Sequence, residues 1–169
     1  MSHELVLEQL DELCDLEATR LARILSKFER LRWLELQKTL TRALCDFSTS
    51  AGEERRTTLR VACPLDVKVQ SDDATFIGRA IDVSAGGIGV HAGLLPALGE
   101  RVTLLYADDP PGSHFPLDIP GHVVWLRKLQ HELGPGFGVV FQPETELQER
   151  RLGELLLFLL RRERAARKT

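Results

Sequence analysis

The sequence has few cysteines and no arrangement of them that builds a covalent framework. Its 169 residues include 3 cysteines, Cys14, Cys45 and Cys63, and no C-x-x-C pair. An odd number of scattered cysteines does not form the disulfide framework that stabilises many small secreted domains. We therefore expect a protein of the reducing cytoplasm.

An excess of positive charge and long apolar runs are also missing. The formal net charge of -3 argues against broad nucleic-acid coating, which needs a basic face to replace counterions. The longest apolar run, Leu155 to Leu160, is far shorter than the roughly 20 residues of a membrane span. Acidic residues among the first leucines are unlike a signal peptide. With 43% hydrophobic and 28% charged residues, the composition is that of a soluble globular protein.

Residues 1–47 contain no glycine or proline, and this region is predicted to be helical throughout. Its apolar residues follow alternating steps of three and four, except that Glu17 takes one apolar position. The members of this stripe are Leu7, Leu10, Cys14, Leu21, Ile24, Phe28 and Leu31. Further leucines widen it, which indicates a helical hairpin or a helix packed on more than one neighbour. Because the stripe must be buried, we expect self-association, with an intramolecular helical pair capping the following domain as the alternative.

Small polar residues at Ser48 to Gly52 break the helical pattern and predict a linker. Branched and aromatic residues between turn-forming clusters then predict short strands. Pro64, within the first of them, indicates an edge strand or a bulge. The predicted strands are Val61–Val69, Phe76–Val83, Gly87–Ala92, Arg101–Tyr106, His122–Leu129 and Phe137–Phe141. Because no long helical stretch separates them, we expect a small antiparallel barrel, closed or nearly closed.

A C-terminal helix is predicted to start near Pro143, with acidic residues in its first turn and a leucine-rich face that packs on the barrel. The chain is therefore expected to be mainly β with α appendages. Its predicted parts are an N-terminal helical segment (1–50), the barrel with an N-terminal arginine linker (51–143) and a C-terminal helix (144–169). The basic end of that helix is assigned no function.

Two polar clusters flank the first strands and have complementary chemistry. The first holds three arginines, Arg55, Arg56 and Arg60, whose guanidinium forks can grip a phosphate or the O6/N7 edge of guanine. The second supplies a carboxylate acceptor for guanine N1–H and N2–H, a hydroxyl group, and glycines that let a ligand approach the backbone. Its residues are Asp82, Ser84, Gly86 and Gly87. Together the clusters predict a nucleotide site.

These residues resemble the PilZ domain family, whose signature is R-x-x-x-R on a linker followed by D/N-x-S-x-x-G on the barrel. Every signature position is filled, by Arg56, Arg60, Asp82, Ser84 and Gly87. The resemblance extends through Gly121 to Trp125 and Gly136 to Phe141, and covers roughly residues 53–160. It implies binding of cyclic di-GMP, a bacterial second messenger, and Arg55 before the motif favours two stacked molecules.

Enzyme and metal motifs fit the sequence less well. Gly87 to Ala92 matches a relaxed dinucleotide fingerprint, but its alternating apolar residues indicate a strand where that motif opens a helix. Ser84 lacks both the first glycine of G-x-S-x-G and an evident base. The histidines have no spacing for a metal site, and His91, which could border a bound guanine, is more simply a surface histidine. We expect no enzyme activity, no metal and no cofactor other than the ligand.

The function that this pattern predicts is a cyclic di-GMP receptor or adaptor that transmits ligand binding through its helices. The recipient would be a protein partner or another copy of the chain. The alternative is an assembly adaptor that works without the ligand and uses the barrel as a scaffold.

Overall fold

A computed structural model of the chain describes residues 3–44, 58–106, 118–127 and 134–168. Within these ranges the chain forms three helices and seven strands. The helices are α1 (His3–Ala22), α2 (Lys27–Leu44) and α3 (Glu146–Arg167). The strands are β1 (Val61–Ala62), β2 (Asp66–Gln70), β3 (Thr75–Ser84), β4 (Gly87–His91), β5 (Arg101–Tyr106), β6 (Asp118–Arg127) and β7 (Gly136–Phe141).

The strands form one sheet in the order β1-β3-β2-β5-β6-β7-β4, and β4 also pairs with β3. This last pairing closes six strands into a barrel, to which β1 is added beside β3. The register pairs between the six strands are all antiparallel. The predicted fold, a small antiparallel barrel with helical segments at both ends, is confirmed.

Alternation along the strands fills the barrel interior. On β2, Val67 and Val69 are fully buried whereas Lys68 between them is exposed. The largest interior side chain is Phe137, which meets Phe76 edge-on with ring centroids 6.2 Å apart. Burying one such aromatic side chain contributes about 1.5–3 kcal/mol to the stability of the fold. Branched and aromatic residues therefore indicate strands, because their side chains fill the barrel interior.

The first predicted strand is interrupted where Pro64 was expected to mark an edge or a bulge. The chain forms β1 and β2 there, and the residues between them stay bonded to β3 through the Cys63 amide to Ile81 O (3.0 Å) and the Ala80 amide to Leu65 O (2.8 Å). Proline has no amide hydrogen, so the regular ladder cannot continue through it. The strand near Trp125 begins at Asp118, earlier than predicted.

The N-terminal region, which the lack of glycine and proline predicted to be helical, forms two helices. The break lies between Ala22 and Lys27 and is fixed by a capping box. Ser26 Oγ accepts the Glu29 amide (3.3 Å), and the Ser26 amide donates to Glu29 Oε2 (2.8 Å). These reciprocal bonds satisfy the first amides of α2, so the sequence starts a new helix without a helix-breaking residue. A hairpin, one of the two predicted alternatives, is what forms.

The two helices are joined by ion pairs and by a buried carboxylate. Arg32 of α2 grips Glu12 of α1 with two hydrogen bonds of 2.7 Å, and this contact lowers the pKa of Glu12. Glu17, which interrupts the apolar stripe, is 1% exposed and accepts hydrogen bonds from both Trp33 and Arg20. Glu17, the polar residue in the stripe, therefore connects α1 to α2 by a buried hydrogen bond.

The apolar stripe is partly buried and partly exposed along the hairpin. Leu10 and Cys14 are buried in α1, and burial raises the pKa of the Cys14 thiol. Ile24, Phe28 and Leu31, by contrast, are exposed. The part of the stripe from Ile24 to Leu31 is thus left uncovered by the described part of the chain.

The chain divides into two compact units. One comprises Met1–Val61 with Gly153–Thr169, and the other comprises Ala62–Leu152. In the helical unit, a Cβ built on Gly153 of α3 would lie 2.7 Å from Leu21 Cδ2, so glycine permits close packing on α1. Among the helices that the structure describes, none has both the length and the apolar character needed to cross a bilayer.

Candidate functional site

Four of the predicted site residues lie in one tight hairpin between β3 and β4. The Ser84 hydroxyl donates to Gly87 O and accepts a hydrogen bond from the Gly86 amide, each with a donor–acceptor distance of 3.4 Å. Gly86 O accepts the Phe141 amide (3.0 Å), which ties the turn to β7. The two bonds of the Ser84 hydroxyl are long for hydrogen bonds, so this group holds the turn only weakly and can exchange partners.

Gly87 is required by the backbone itself. A Cβ built there would lie 2.4 Å from Val139 O, which is closer than any side chain tolerates. Gly86 is different, because no atom lies within 4 Å of the Cβ position. Gly86 therefore leaves one side of the turn open to an approaching ligand, whereas Gly87 permits close pairing of β4 with β7.

Asp82 lies at a register shift where β3 bulges between Ala80 and Asp82. The bulge sets Asp82 opposite Gly89, and a Cβ built on Gly89 would lie 3.2 Å from Asp82 Oδ1. Bulges re-aim side chains in this way next to functional sites. The Asp82 carboxylate consequently lies over Gly89, a position on β4 that has no side chain.

This arrangement continues sideways across four strands. Asp82 pairs with Gly89, Gly89 with Gly138, and Gly138 with Trp125. A Cβ built on Gly138 would lie 1.9 Å from Trp125 Nε1, so the indole covers this glycine. We call these four residues the glycine row. At about 4.8 Å per strand, the backbones at the two ends of the row lie about 14 Å apart. The side chains reach towards each other over the two glycines, with the carboxylate over Gly89 and the indole over Gly138.

A second row, one pleat further along the same strands, is basic. Arg79 pairs with His91, His91 with Gly136, and Gly136 with Arg127. Arg127 Nε donates to Gly134 O (2.8 Å), and its guanidinium carbon lies 6.0 Å from the centre of the Trp125 ring. We call these residues the basic row. Arg127 adds a cation beside the indole, whereas Arg79 at the other end of the row is paired with Asp66 at 3.0 Å. A guanidinium next to an indole is suited to phosphates and to stacked bases.

The arginine cluster is described only at its last residue. Arg55 and Arg56 lie outside the described residues, and Arg60 is half-buried in the helical unit. Its chain neighbour Leu59 is 3% exposed and donates its amide to Gln37 Oε1 of α2 over 2.7 Å. Gln37 is itself buried, so the end of the arginine motif is fastened to α2 by a buried hydrogen bond.

Sequence reasoning missed three residues. Trp125 was named only as part of the resemblance, but it is half-buried and lies over Gly138 in the glycine row. Arg127 and Gln37 received no interpretation. The alternating glycines of β4 and β7 were the available signal, because a strand face without side chains favours close approach by a neighbour or a ligand. His91 is exposed in the basic row, as a surface histidine would be.

The described residues contain no group of three or more histidine, cysteine or carboxylate side chains able to hold a metal ion. The groups at this site are able to form hydrogen bonds, cation contacts and stacking contacts. A carboxylate, a loosely held hydroxyl, an open glycine and an indole next to a guanidinium can recognise a purine base and bind phosphate.

Comparison with known families matches residues 54–158, more than half of the 169-residue chain, to the PilZ domain. A search of curated proteins found no match. Among solved structures, the PilZ domain of YcgR from Escherichia coli, determined with c-di-GMP, is 21% identical. The alignment covers 68% of this chain and 98% of that chain, with a TM-score of 0.50.

Two longer proteins are also similar in fold. MotI/DgrA, the inhibitor of motility of Bacillus subtilis, is 20% identical over 64% of this chain and 51% of that chain, with a TM-score of 0.51. MrkH of K. pneumonia in its apo state is 16% identical over 68% of this chain and 55% of that chain, with a TM-score of 0.52. The chain thus spans about half the length of these two structures. The matched region and the shared barrel lead to one conclusion: the chain belongs to the PilZ domain family.

Proposed function

We propose that the protein is a cyclic di-GMP receptor, not an enzyme, and that it acts in the cytoplasm. The observation that carries this proposal is the filled signature: Asp82, Ser84 and Gly87 lie in one hairpin, and Arg60 ends a complete R-x-x-x-R motif. The YcgR PilZ domain, a structural neighbour, was solved with the same ligand.

Each residue type has a separate task in this proposal. Arg56 and Arg60 grip phosphate or the guanine edge with paired hydrogen bonds, and Arg55 supplies a further fork for a second, stacked ligand molecule. Asp82 accepts the guanine N1–H and N2–H, and the Ser84 hydroxyl exchanges a weak turn bond for the ligand. Gly86 and Gly87 let the ligand approach the backbone.

The bond between Gln37 and Leu59 gives the signal a route into the helices. Ligand contacts order the arginine motif, and Leu59, next to Arg60, is held to α2 by that buried bond. Two charge-assisted arginine contacts, at about 1.5–3 kcal/mol each, can offset the ordering of a few linker residues at about 1–2 kcal/mol each. The helical unit then presents an altered surface to a protein partner or to a second copy of the chain.

Calorimetric titration of the full chain with cyclic di-GMP tests the receptor proposal. We expect saturable binding that Arg60→Ala weakens by about tenfold or more, because one charge-assisted fork is lost. Arg42→Ala removes an exposed arginine on α2 and is the matched control. GTP should not compete at equal concentration. Two ligand molecules per chain would support the stacked pair, and absence of binding by the unchanged chain would overturn the proposal.

Hydrogen exchange of the backbone tests the route to the helices. Cyclic di-GMP should protect residues 52–60 and change exchange in α2, and Gln37→Ala should keep ligand binding but lose the change in α2. Equal protection of residues 52–60 with and without ligand contradicts ligand-driven ordering. If Arg60→Ala leaves assembly and cellular function intact, the chain is a ligand-independent adaptor.

A further inference from the structure

The turn between α1 and α2 and the outer side of α2 expose apolar side chains that no residue described by the structure covers. Ile24 is 93% exposed, Phe28 84%, Leu31 56% and Leu34 46%. Single exposed apolar residues are ordinary on a protein surface. Here three of them follow one another at three-residue steps along α2, beside an isoleucine at the turn, and such a contiguous patch marks an interaction site. We call these four residues the outer patch.

The outer patch cannot turn inward, because the opposite side of α2 is already fixed. Leu36 and Leu40 are buried there at 1% and 0% exposure. Trp33 is bonded to the buried Glu17, and Arg32 is bonded twice to Glu12. Rotating the helix would break these bonds and expose its core leucines. The exposure of the outer patch is therefore built into the hairpin.

The same side of α2 is basic. Lys27 and Lys38 share one helical stripe with Leu31 and Leu34, at steps of four, three and four residues. Arg30 lies beside this stripe. These three cations form no ion pair with any residue that the structure describes.

The neighbouring carboxylates do not neutralise this charge, because each already has a cationic partner. Glu29 is paired with Arg23 at 2.6 Å, and Glu35 is paired with Arg32 at 2.9 Å. The outer patch is consequently a set of protruding apolar side chains beside three cations that have no ion-pair partner among the described residues.

We propose that the outer patch docks on the surface of an anionic phospholipid bilayer. Ile24 and Phe28 enter the interface between headgroups and acyl chains, while Lys27 and Arg30 contact lipid phosphates. An open cleft of 570 Å³ at the same end combines the arginines of positions 20, 23 and 30 with Ile24 and Leu25. Arg20 and Arg23 are held there by Glu17 and Glu29, so Arg30 beside the apolar walls is the guanidinium group that meets a lipid phosphate in this proposal.

Shape and charge favour a bilayer over a protein surface. Side chains that are 93% and 84% exposed protrude, and a fluid interface adapts to protrusions whereas a protein partner needs matching pockets. A second copy that packed the same patch against this one would bring the unpaired cations together. The exposed residues of α1 include Glu4, Glu8 and Asp15. If a second copy placed its α1 on the outer patch, these carboxylates would pair with the cations but would not cover the apolar side chains.

Sedimentation of the full chain with vesicles tests the proposal, without cyclic di-GMP and therefore independently of the proposed function. Vesicles of phosphatidylcholine with phosphatidylglycerol should bind the chain, and vesicles of phosphatidylcholine alone should not. Phe28→Asp should weaken binding by about tenfold, because the inserted ring is lost and a negative charge is added. An acidic residue in the first turn suits the helix dipole, so this variant should stay folded.

Charge is tested separately with Lys27→Glu combined with Arg30→Glu, which should also weaken binding by about tenfold. Leu98→Asp and Lys68→Glu, at exposed barrel positions, are the matched controls and should bind like the unchanged chain. A Phe28→Trp chain should show blue-shifted emission that brominated lipid quenches.

Three results would overturn the proposal. The unchanged chain does not bind anionic vesicles at low salt, or the patch variants bind as well as their controls, or light scattering detects a dimer that Phe28→Asp dissociates. The last result would assign the outer patch to a second copy of the chain.

Discussion

The Trp33 indole donates Nε1–H to Glu17 Oε1 over 2.8 Å and thereby joins the two helices of the hairpin at a buried carboxylate. Glu17 is 1% exposed, and Arg20 Nε binds its other oxygen at 2.7 Å. A buried carboxylate is tolerated only when donors and a positive charge surround it. The residue that breaks the apolar stripe is thus held by one partner from its own helix and one from α2.

Trp33→Phe should destabilise the protein by about 1–3 kcal/mol, because the ring remains while a buried carboxylate oxygen loses its donor. Chemical denaturation of Trp33→Phe, Glu17→Gln and the double variant measures this effect. The two changes should not be additive, since Trp33→Phe removes the donor of one hydrogen bond and Glu17→Gln replaces its charged acceptor with a neutral amide oxygen. Additive free energies of unfolding would contradict the coupling.

Glu29 at the helical turn should make stability depend on pH in the acidic range. It accepts hydrogen bonds from both terminal nitrogens of Arg23 and from the Ser26 amide, and these contacts lower its pKa from 4.5 to about 2. A carboxyl whose pKa is depressed by folding stabilises the native state above its unfolded pKa. That stabilisation is lost as the pH falls from 4.5 towards 2.

Unfolding midpoints of the unchanged chain and of Glu29→Gln should therefore differ at neutral pH and converge as the pH falls through this window. Because the pair is exposed, high salt should reduce the difference at neutral pH. A difference that persists unchanged near pH 2 would contradict this prediction. NMR titration of the Glu29 carboxyl gives the pKa directly.

Gly138→Ala should destabilise the barrel and move the Trp125 ring. The added Cβ would lie 1.9 Å from Trp125 Nε1, so the indole must leave its position across the glycine row. Overpacking of this kind costs about 1–3 kcal/mol. Gly93→Ala is the matched control, because nothing lies within 4 Å of its Cβ position. Denaturation midpoints and tryptophan emission that match the control would show that the indole moves aside without cost.

The barrel could be predicted because burial alternates along its strands, as at Val67 and Val69. The N-terminal hairpin was one of two predicted alternatives, and its turn was not located although Ser26 and Glu29 form a capping box that the sequence contains. Helix starts depend on which side chains satisfy the first amides, and such residues need not break a helix.

The candidate site could be predicted where a motif is local in sequence and not where it depends on register. Asp82 to Gly87 form one hairpin, so their proximity follows from the sequence alone. Trp125 reaches Gly138 only because β6 shifts register between Val123 and Trp125. A shift of one residue moves a side chain to the other face of the sheet, and no short motif reports such a shift.

Asp82 should determine the preference for guanine, provided that the chain binds cyclic di-GMP as proposed. Its carboxylate lies across Gly89 and can accept both N1–H and N2–H of a guanine, whereas adenine has neither donor in this arrangement. Asp82→Ala should weaken cyclic di-GMP binding by about tenfold or more, since hydrogen bonds to a charged acceptor are lost. Asp82→Asn keeps one acceptor oxygen, so its affinity for cyclic di-GMP should lie between that of the unchanged chain and that of Asp82→Ala.

Calorimetric titration with cyclic di-GMP and with its adenine analogue measures this preference for all three chains. The unchanged chain should prefer the guanine ligand, and Asp82→Ala should lose most of that preference because its weak residual contacts come from the arginines and the phosphates. Denaturation midpoints show whether each variant keeps the β3–β4 hairpin. If Asp82→Ala folds normally and still selects guanine, another residue recognises the base. Arg127 beside the Trp125 ring is then the residue to change next, because its guanidinium can also bind the O6/N7 edge of guanine.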